Sequence, residues 1–144
     1  MEIQAARYLD TNWPEIRNIR NRVFIEEQAV SPEEEYDEFE EESRHFLAIM
    51  NGEAAGTARW RKTEKGIKLE RFAVLKEFRG KGVGRALVQA VLQDVMEMVS
   101  QPGLIYLHAQ VQAIPFYTKL GFEASGPEFS EADIRHRKMH FTGN

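Results

Sequence analysis

The 144 residues predict an α+β fold, a mixed and mostly antiparallel sheet flanked by helices. Three observations carry that reading: alternating segments broken by two tight turns between His45 and Val74, one long helical stripe from Val83, and a compact apolar segment directly after it. The length fits a single domain, residues 1–144. A fold of this size buries roughly 68–70% of the surface its unfolded chain exposes, so a core forms without staples. Hydrophobic residues at 42% and charged residues at 29% fit a globular chain, not a disordered or collagen-like one.

Ile3 and Ala5 alternate with polar neighbours and predict a short first strand. Pro14 suits the first turn of a helix, and Ile16, Ile19, Val23 and Phe24 then recur at helical spacing. That helix should fade near Gln28 and Pro32. His45–Met50 reads as a strand, Asn51-Gly52 as a two-residue hairpin turn and Ala54–Lys62 as the partner strand. A turn at Lys65-Gly66 leads into Ile67–Val74. The period then changes: Val83, Leu87, Val91, Val95 and Val99 fall at i, i+4 steps, with Ala86, Ala90 and Met98 widening the stripe. Gln101-Pro102-Gly103 ends this helix, Leu104–Ala109 follows as a strand, and a short helix at Pro115–Leu120 stops at Gly121. One more strand is expected near Arg137–Phe141.

The net charge of −4 hides an uneven distribution. Residues 33–42, EEEYDEFEEE, carry eight acids and no base, which leaves 19 bases against 15 acids elsewhere. Residues 59–85 hold ten bases against three acids. The absence of cysteine excludes disulfides, a thiolate nucleophile and cysteine-ligated metals. The four histidines, His45, His108, His136 and His140, have no spacing of a metal site. No apolar stretch approaches the roughly 20 residues of a membrane span, and the N-terminus lacks the pattern of a signal peptide. The expectation is a cytoplasmic protein without a membrane partner.

The informative junction is Arg79-Gly80-Lys81-Gly82-Val83-Gly84-Arg85, between a strand and the long helix. Alternate glycines leave backbone N–H groups uncovered, and the helix N-terminus adds free donors and a partial positive charge. This reads as a ready anion site, with Lys81 and Arg85 beside it, against a plain tight loop as the other reading. It is not a nucleoside-triphosphate loop, because Gly84 is followed by Arg85-Ala86 rather than Lys-Ser/Thr. Nor is it a dinucleotide fingerprint, since the glycine spacing is wrong and the preceding strand belongs to a meander.

Arg79-x-x-Gly82-x-Gly84 after a strand resembles the acyl-CoA pyrophosphate motif of the GNAT N-acetyltransferase superfamily. Ala113-Ile114-Pro115-Phe116-Tyr117-Thr118-Lys119-Leu120-Gly121-Phe122 is similar to that superfamily's A-x-x-[LF]-Y-x-K-x-G-F segment. The two stand in the expected order with one strand between. Val23–Gln28 and Ala132-Asp133-Ile134-Arg135-His136 resemble the ElaA-like branch, which usually has Gly-Ile-Pro-His where this chain has Asp-Ile-Arg-His.

The resemblance implies a GNAT acyl-CoA N-acyltransferase fold. The implied reaction is acetyl transfer from acetyl-CoA, as co-substrate, to a primary amine by direct attack. A non-catalytic acyl-CoA sensor with the same fold is the alternative. The backbone of Phe72, Ala73 and Val74 would pair with the pantetheine arm. Residues Arg79, Gly80, Lys81, Gly82, Val83, Gly84 and Arg85 would hold the pyrophosphate, and Phe116 and Tyr117 would contact the cofactor. Gln110 replaces the asparagine that many relatives place against the pantetheine. The basic centre is read as serving CoA phosphates rather than nucleic acid, and homodimerisation is an expectation by analogy.

Tethering both reactants could supply up to roughly 7–11 kcal/mol of the barrier. Proton handling is the remainder, since an ammonium of pKa about 10.4 is only about one part in 2500 neutral at pH 7. Tyr117 stands where the family places a phenol that protonates the departing thiolate, with an amphipathic core tyrosine as the other reading. Glu70 is the first candidate base, against an ion pair to Arg71 or Lys68. His108 is a second candidate, as base or substrate contact, against a hydrogen-bonded core histidine. Glu27, Gln28 and His136 are expected in the acceptor pocket, and Glu33–Glu42 is expected to recruit a cationic acceptor or to form a solvated face.

Overall fold

Alternation at the N-terminus and between residues 44 and 74 produces strands. In the computed structural model, which describes residues 1–143, these are β1 (Glu2–Ala6), β2 (Arg44–Met50), β3 (Glu53–Lys62) and β4 (Ile67–Val74). They pair antiparallel in that order. Asn51 (φ 53°) and Gly52 (φ 79°) make the tight β2–β3 turn whose double left-handed backbone suits Asn-Gly.

The predicted first helix comes in two parts. An α-helix, α1 (Trp13–Arg20), runs without a break into a π-helical segment, Asn21–Glu27. Single-turn π-bulges are the usual form of this wide winding, often at functional sites. Here it carries Phe24 and Gln28 to the wall of a cleft described below. The acidic tract contains only one turn of helix, α2 (Pro32–Glu35), which Ser31 caps by accepting the Glu34 N–H.

The long helix, α3 (Val83–Met98), buries Val83, Leu87, Val88, Val91 and Val95 against the sheet centre. Met98 does not belong to that stripe: it is 55% exposed at the last turn. Asp94 fixes the register of helix on sheet by accepting from Trp60 Nε1 at 2.8 Å and Arg44 Nε at 2.6 Å. Helix α1 covers the other face, so β3 is buried on both sides. Trp13, Phe46 and Trp60 are core residues.

After α3 come β5 (Ile105–Gln110), a short helix α4 (Ile114–Lys119), and a hairpin of β6 (Phe122–Glu131) and β7 (Ile134–Phe141). The sheet order is β1-β2-β3-β4-β5-β7-β6. Only the last of the hairpin strands is readable in the sequence. β6 is a mostly exposed edge strand, interrupted by Gly126-Pro127, where its register with β7 shifts. It therefore lacks the apolar alternation that marks a half-buried strand.

The β6–β7 turn is Ala132 (φ 51°) and Asp133 (φ 60°), a left-handed pair built without glycine. Glycine adopts this left-handed backbone without the steric cost that aspartate carries. Asp133→Gly is expected to raise stability by about 0.5–1 kcal/mol, read as the shift in urea midpoint at constant slope.

The feature that positions the site is a split between the two central strands. Among the described residues β4 and β5 are the one parallel pair, and they hold register only from Ile67↔Ile105 to Leu69↔Leu107. Beyond that point they separate. β4 also carries an irregularity opposite Thr57–Arg59, with Arg71 in the left-handed region at φ 60°. A bulge there bends and twists β4 away from β5. Ala73 and Val74 therefore stay paired with β3 on one edge, and Phe72–Val74 faces a notch on the other.

Candidate active site

Glu70 and His108 are the first residues past the point where the ladder opens, one on each strand. A cleft of about 370 Å³ begins between them. It brings together Phe72 from β4, His108 and Gln110 from β5, Tyr117 from α4 and His136 from β7, with Gln28 closing the far wall. Gln28 and Gln110, from opposite walls, hydrogen-bond through their side chains at 2.8 Å. Six residues expected at the site from sequence thus share one cavity with Phe72.

Tyr117 is buried, with its ring edge-on to Phe72 (5.9 Å), Phe116 (5.0 Å) and Phe122 (5.8 Å). Burial pushes its hydroxyl well above the ordinary phenol range, because a phenolate would be poorly solvated there. The group is a protonated donor throughout the physiological range.

Glu70 is a poor candidate base. Its carboxylate accepts from Arg59 Nη2 at 3.0 Å and Arg61 Nε at 2.7 Å, and Lys68 Nζ lies 3.2 Å away. Although burial opposes ionisation, Arg59 and Lys68, with the Arg61 hydrogen bond, hold it down to about 2. A carboxylate so strongly stabilised as the anion has little affinity for a proton at neutral pH. The ion-pair reading applies, with Arg59 and Arg61 added to the expected Lys68.

Glu27 is not in the cleft. Its carboxylate takes both hydrogen bonds of Arg79 Nη2, each 2.9 Å, while Arg79 Nε donates to the Val74 carbonyl at 2.9 Å. Arg79 thereby ties the end of β4 and the π-helical segment to the glycine loop. The loop is Arg79 to Gly82, and Gly82 (φ 85°) caps α3 in a conformation that side chains disfavour. The first α3 hydrogen bond runs from Ala86 N–H to the Gly82 carbonyl, so the preceding amides lie outside the helical ladder. At Gly84, an added Cβ would stand 3.2 Å from the Phe116 ring and 3.8 Å from a Val74 methyl. The loop, the notch edge of β4 and the aromatic corner of α4 therefore meet. This cradle fits a pyrophosphate, with Lys81 and Arg85 exposed beside it.

Three acids of the tract, Glu35, Asp37 and Glu40, pair with arginines, two of them from the basic centre. Glu33, Glu34, Glu38, Glu41 and Glu42 are exposed as a solvated face would be. Arg20, 1% exposed, donates to Glu35 (2.7 Å) and to both Glu40 oxygens (2.8 Å). Arg59, fully buried, donates to Asp37 (2.8 Å), Glu40 (2.9 Å) and Glu70. Arg71 reaches the Glu35 carbonyl and Asp37, and His45 Nε2–H donates to the Glu40 carbonyl at 2.8 Å. Glu35, Asp37 and Glu40 thus face inward rather than recruiting ligands. Arg59, Arg61, Lys68 and Arg71 are occupied by carboxylates rather than waiting for phosphates.

Linkage gives these pairs a pH signature. Asp37 and Glu70 are each held at about 2, below their unfolded values, chiefly by Arg59 against the opposing effect of burial. Their contribution is present above about pH 4.5 and is lost as pH falls toward 2; for Glu70 it is on the order of 3 kcal/mol. Glu35, raised by burial, works in the opposite sense and offsets part of this. The urea midpoint is expected to fall steeply between about pH 4.5 and 2.5 and to flatten above. A midpoint constant across that window would contradict the pairing.

Glu131, not singled out by the sequence, also lines the cleft, from the end of β6. Its signal was the hairpin turn that follows it, hidden because β6 does not read as a strand. Among the described residues no group of three or more His, Asp or Glu side chains is arranged to hold a metal ion. No helix among them is long and apolar enough to cross a membrane.

Known proteins share this architecture. The chain is 27% identical to Escherichia coli ElaA, with a TM-score of 0.86 covering 98% of this chain and 99% of that one. An aminoglycoside 6'-N-acetyltransferase solved with coenzyme A superposes with a TM-score of 0.73 over 97% of this chain and 96% of that one, at 17% identity, which speaks to the fold alone. In sequence, the chain is 42% identical over 122 residues to the uncharacterized N-acetyltransferase YjcF of Bacillus subtilis, covering 84% of this chain and 86% of that protein. The B. subtilis protein YyaT is 41% identical over 130 residues, covering 87% and 85%. The family profile described as "Acetyltransferase (GNAT) domain" matches residues 12–142. The chain belongs to the GNAT acetyltransferase family.

Proposed function

We propose that this protein transfers the acetyl group of acetyl-CoA to a primary amine of a small molecule or peptide, by direct attack within a ternary complex. One juxtaposition carries the reading. The unpaired edge of Phe72–Val74 runs from the cleft that holds Tyr117 to the glycine loop at the start of α3. An extended pantetheine arm would add to that edge as a strand, main chain to amide. The loop amides and helix N-terminus would take the pyrophosphate, and the thioester would reach the cleft.

The chemistry asked of the protein is then modest. Binding both reactants in one cleft converts a bimolecular attack into an intramolecular one, for up to roughly 7–11 kcal/mol. Tyr117 supplies a proton to the departing sulfur. The related coenzyme A complex of the aminoglycoside acetyltransferase supports the choice of acyl carrier, and the amine class rests on the family's N-acetyltransferases.

The test is release of free thiol from acetyl-CoA with a panel of alkylamines, polyamines, amino-acid esters and amino sugars. Amine-dependent release with intersecting initial-rate patterns is expected. Acetyl-CoA binding without release for any amine would favour the sensor reading.

A further inference from the structure

With Glu70 held by three cations, the cleft needs another group to take the proton of the attacking ammonium. His108 lies across the notch from Glu70 and lines the same cleft. Its Nδ1 is 3.0 Å from Glu131 Oε1. A carboxylate can only accept, so a hydrogen sits on Nδ1, and Nε2 is the ring nitrogen left to take a proton. Among the described residues no hydrogen-bond partner occupies Nε2. Phe129 stands edge-on to the ring at 5.0 Å and Tyr106 lies 6.0 Å away, so the imidazole is fixed in orientation.

We infer that His108 is the proton acceptor for the attacking amine and that Glu131 is its positioning residue, an assignment that rests on the acetyl-transfer reading above. The ammonium gives one proton to His108 Nε2, from which it passes to solvent. The freed nitrogen lone pair forms the C–N bond as the C–S bond breaks with its electrons on sulfur. Sulfur takes the Tyr117 proton, and the second proton shed by nitrogen restores the phenol. The balance is one amide, one thiol and one proton released. Glu131 stabilises the imidazolium that forms at its side, the role an oriented carboxylate plays beside any histidine base. The hydrogen bond from His108 in turn keeps the Glu131 carboxyl below its ordinary range, so it is ionised when needed.

Other charged groups share this surface. Lys68 and Glu70 face His108 from β4, His136 stands on β7 with its Nε2 3.9 Å from Glu131, and Lys138 is the register partner of His108 on β7. His136 has the same Nδ1–H arrangement, toward the Ile134 carbonyl at 2.7 Å, but its side chain is 7% exposed against 25% for His108, so His108 has the more open path for passing its proton to solvent.

The experiment uses the full chain and the best amine of the panel, following kcat, kcat/KM against pH and acetyl-CoA binding. His108→Gln is expected to lower kcat by about 10²–10³ and to remove the acidic limb of the pH profile, with acetyl-CoA affinity within about twofold. Glu131→Gln, at a half-exposed position, should fold normally. It should lower kcat by about tenfold and move the acidic limb to lower pH by up to about 1 unit, because the imidazolium loses its counter-charge. An unchanged kcat and limb in His108→Gln, or an unmoved limb in Glu131→Gln, would overturn the assignment while leaving acetyl transfer intact. A wild-type chain that acetylates no amine would instead remove the reaction, and the assignment with it.

Discussion

Arg59→Leu is expected to destabilise the chain by about 3–5 kcal/mol, roughly 10–17 °C in melting temperature. The guanidinium is fully buried and is shared by Asp37, Glu40 and Glu70. Removing it leaves three carboxylates close together with too little positive charge, and one of them, Glu40, also depends on Arg20. The penalty arises from stranding those charges rather than from the net worth of the network, which a well-packed apolar core could match. The sign of the pH effect separates this from lost packing. As pH falls toward 2 the stranded carboxyls take up protons, so the deficit should narrow. Urea denaturation at pH 7 and pH 3 measures both. A loss below about 1 kcal/mol at pH 7, or one independent of pH, would contradict the arrangement.

Tyr117→Phe is expected to lower kcat by about 10²-fold, at the low end for general-acid catalysis because a thiolate of pKa near 8.5 is already a fair leaving group. The ring remains packed against Phe72, Phe116 and Phe122, so the KM for acetyl-CoA and the melting temperature should change little. This split is diagnostic: a loss confined to kcat marks an interaction made in the transition state. Steady-state kinetics with the best amine, at saturating acetyl-CoA, make the comparison. Undiminished turnover would remove the hydroxyl from the reaction and leave the residue as an aromatic wall of the cleft.

The legible parts of the fold were those whose burial is local and one-sided. The β2–β4 meander showed itself by alternation and by Asn51-Gly52, and α3 by valines and leucines that all face the sheet. The glycine loop was legible because backbone access demands glycine, whatever surrounds it. β6 was not legible, because an exposed edge strand with Gly126-Pro127 has no reason to alternate. The change from α to π winding at Asn21 leaves the helical spacing of Ile16, Ile19 and Val23 almost unaltered, so periodicity cannot report it.

The candidate site divides the same way. Tyr117, Gln28, Gln110 and His136 reach the cleft as expected, because motif and topology place them. Glu27 and Glu70 depart from the sequence expectation because of their partners, Arg79 and Arg59, which are distant in sequence or lie on a neighbouring strand. The acidic tract was the largest such case. Five of its eight acids are exposed as a solvated face would be, but Glu35, Asp37 and Glu40 turn inward onto Arg20, Arg59 and Arg71. Charge pairing across elements is a property of the fold, and composition reports only its sum.

The most direct test of acetyl transfer follows the acyl group itself. Acetyl-CoA carrying an isotopic label in the acetyl group is incubated with the protein and the amine panel, and the products are identified by mass spectrometry. The expected result is label on the nitrogen of at least one amine, in equal amount to the free CoA formed and dependent on Tyr117. Label that stays on CoA, or appears only as free acetate at the same rate with and without amine, would contradict the account.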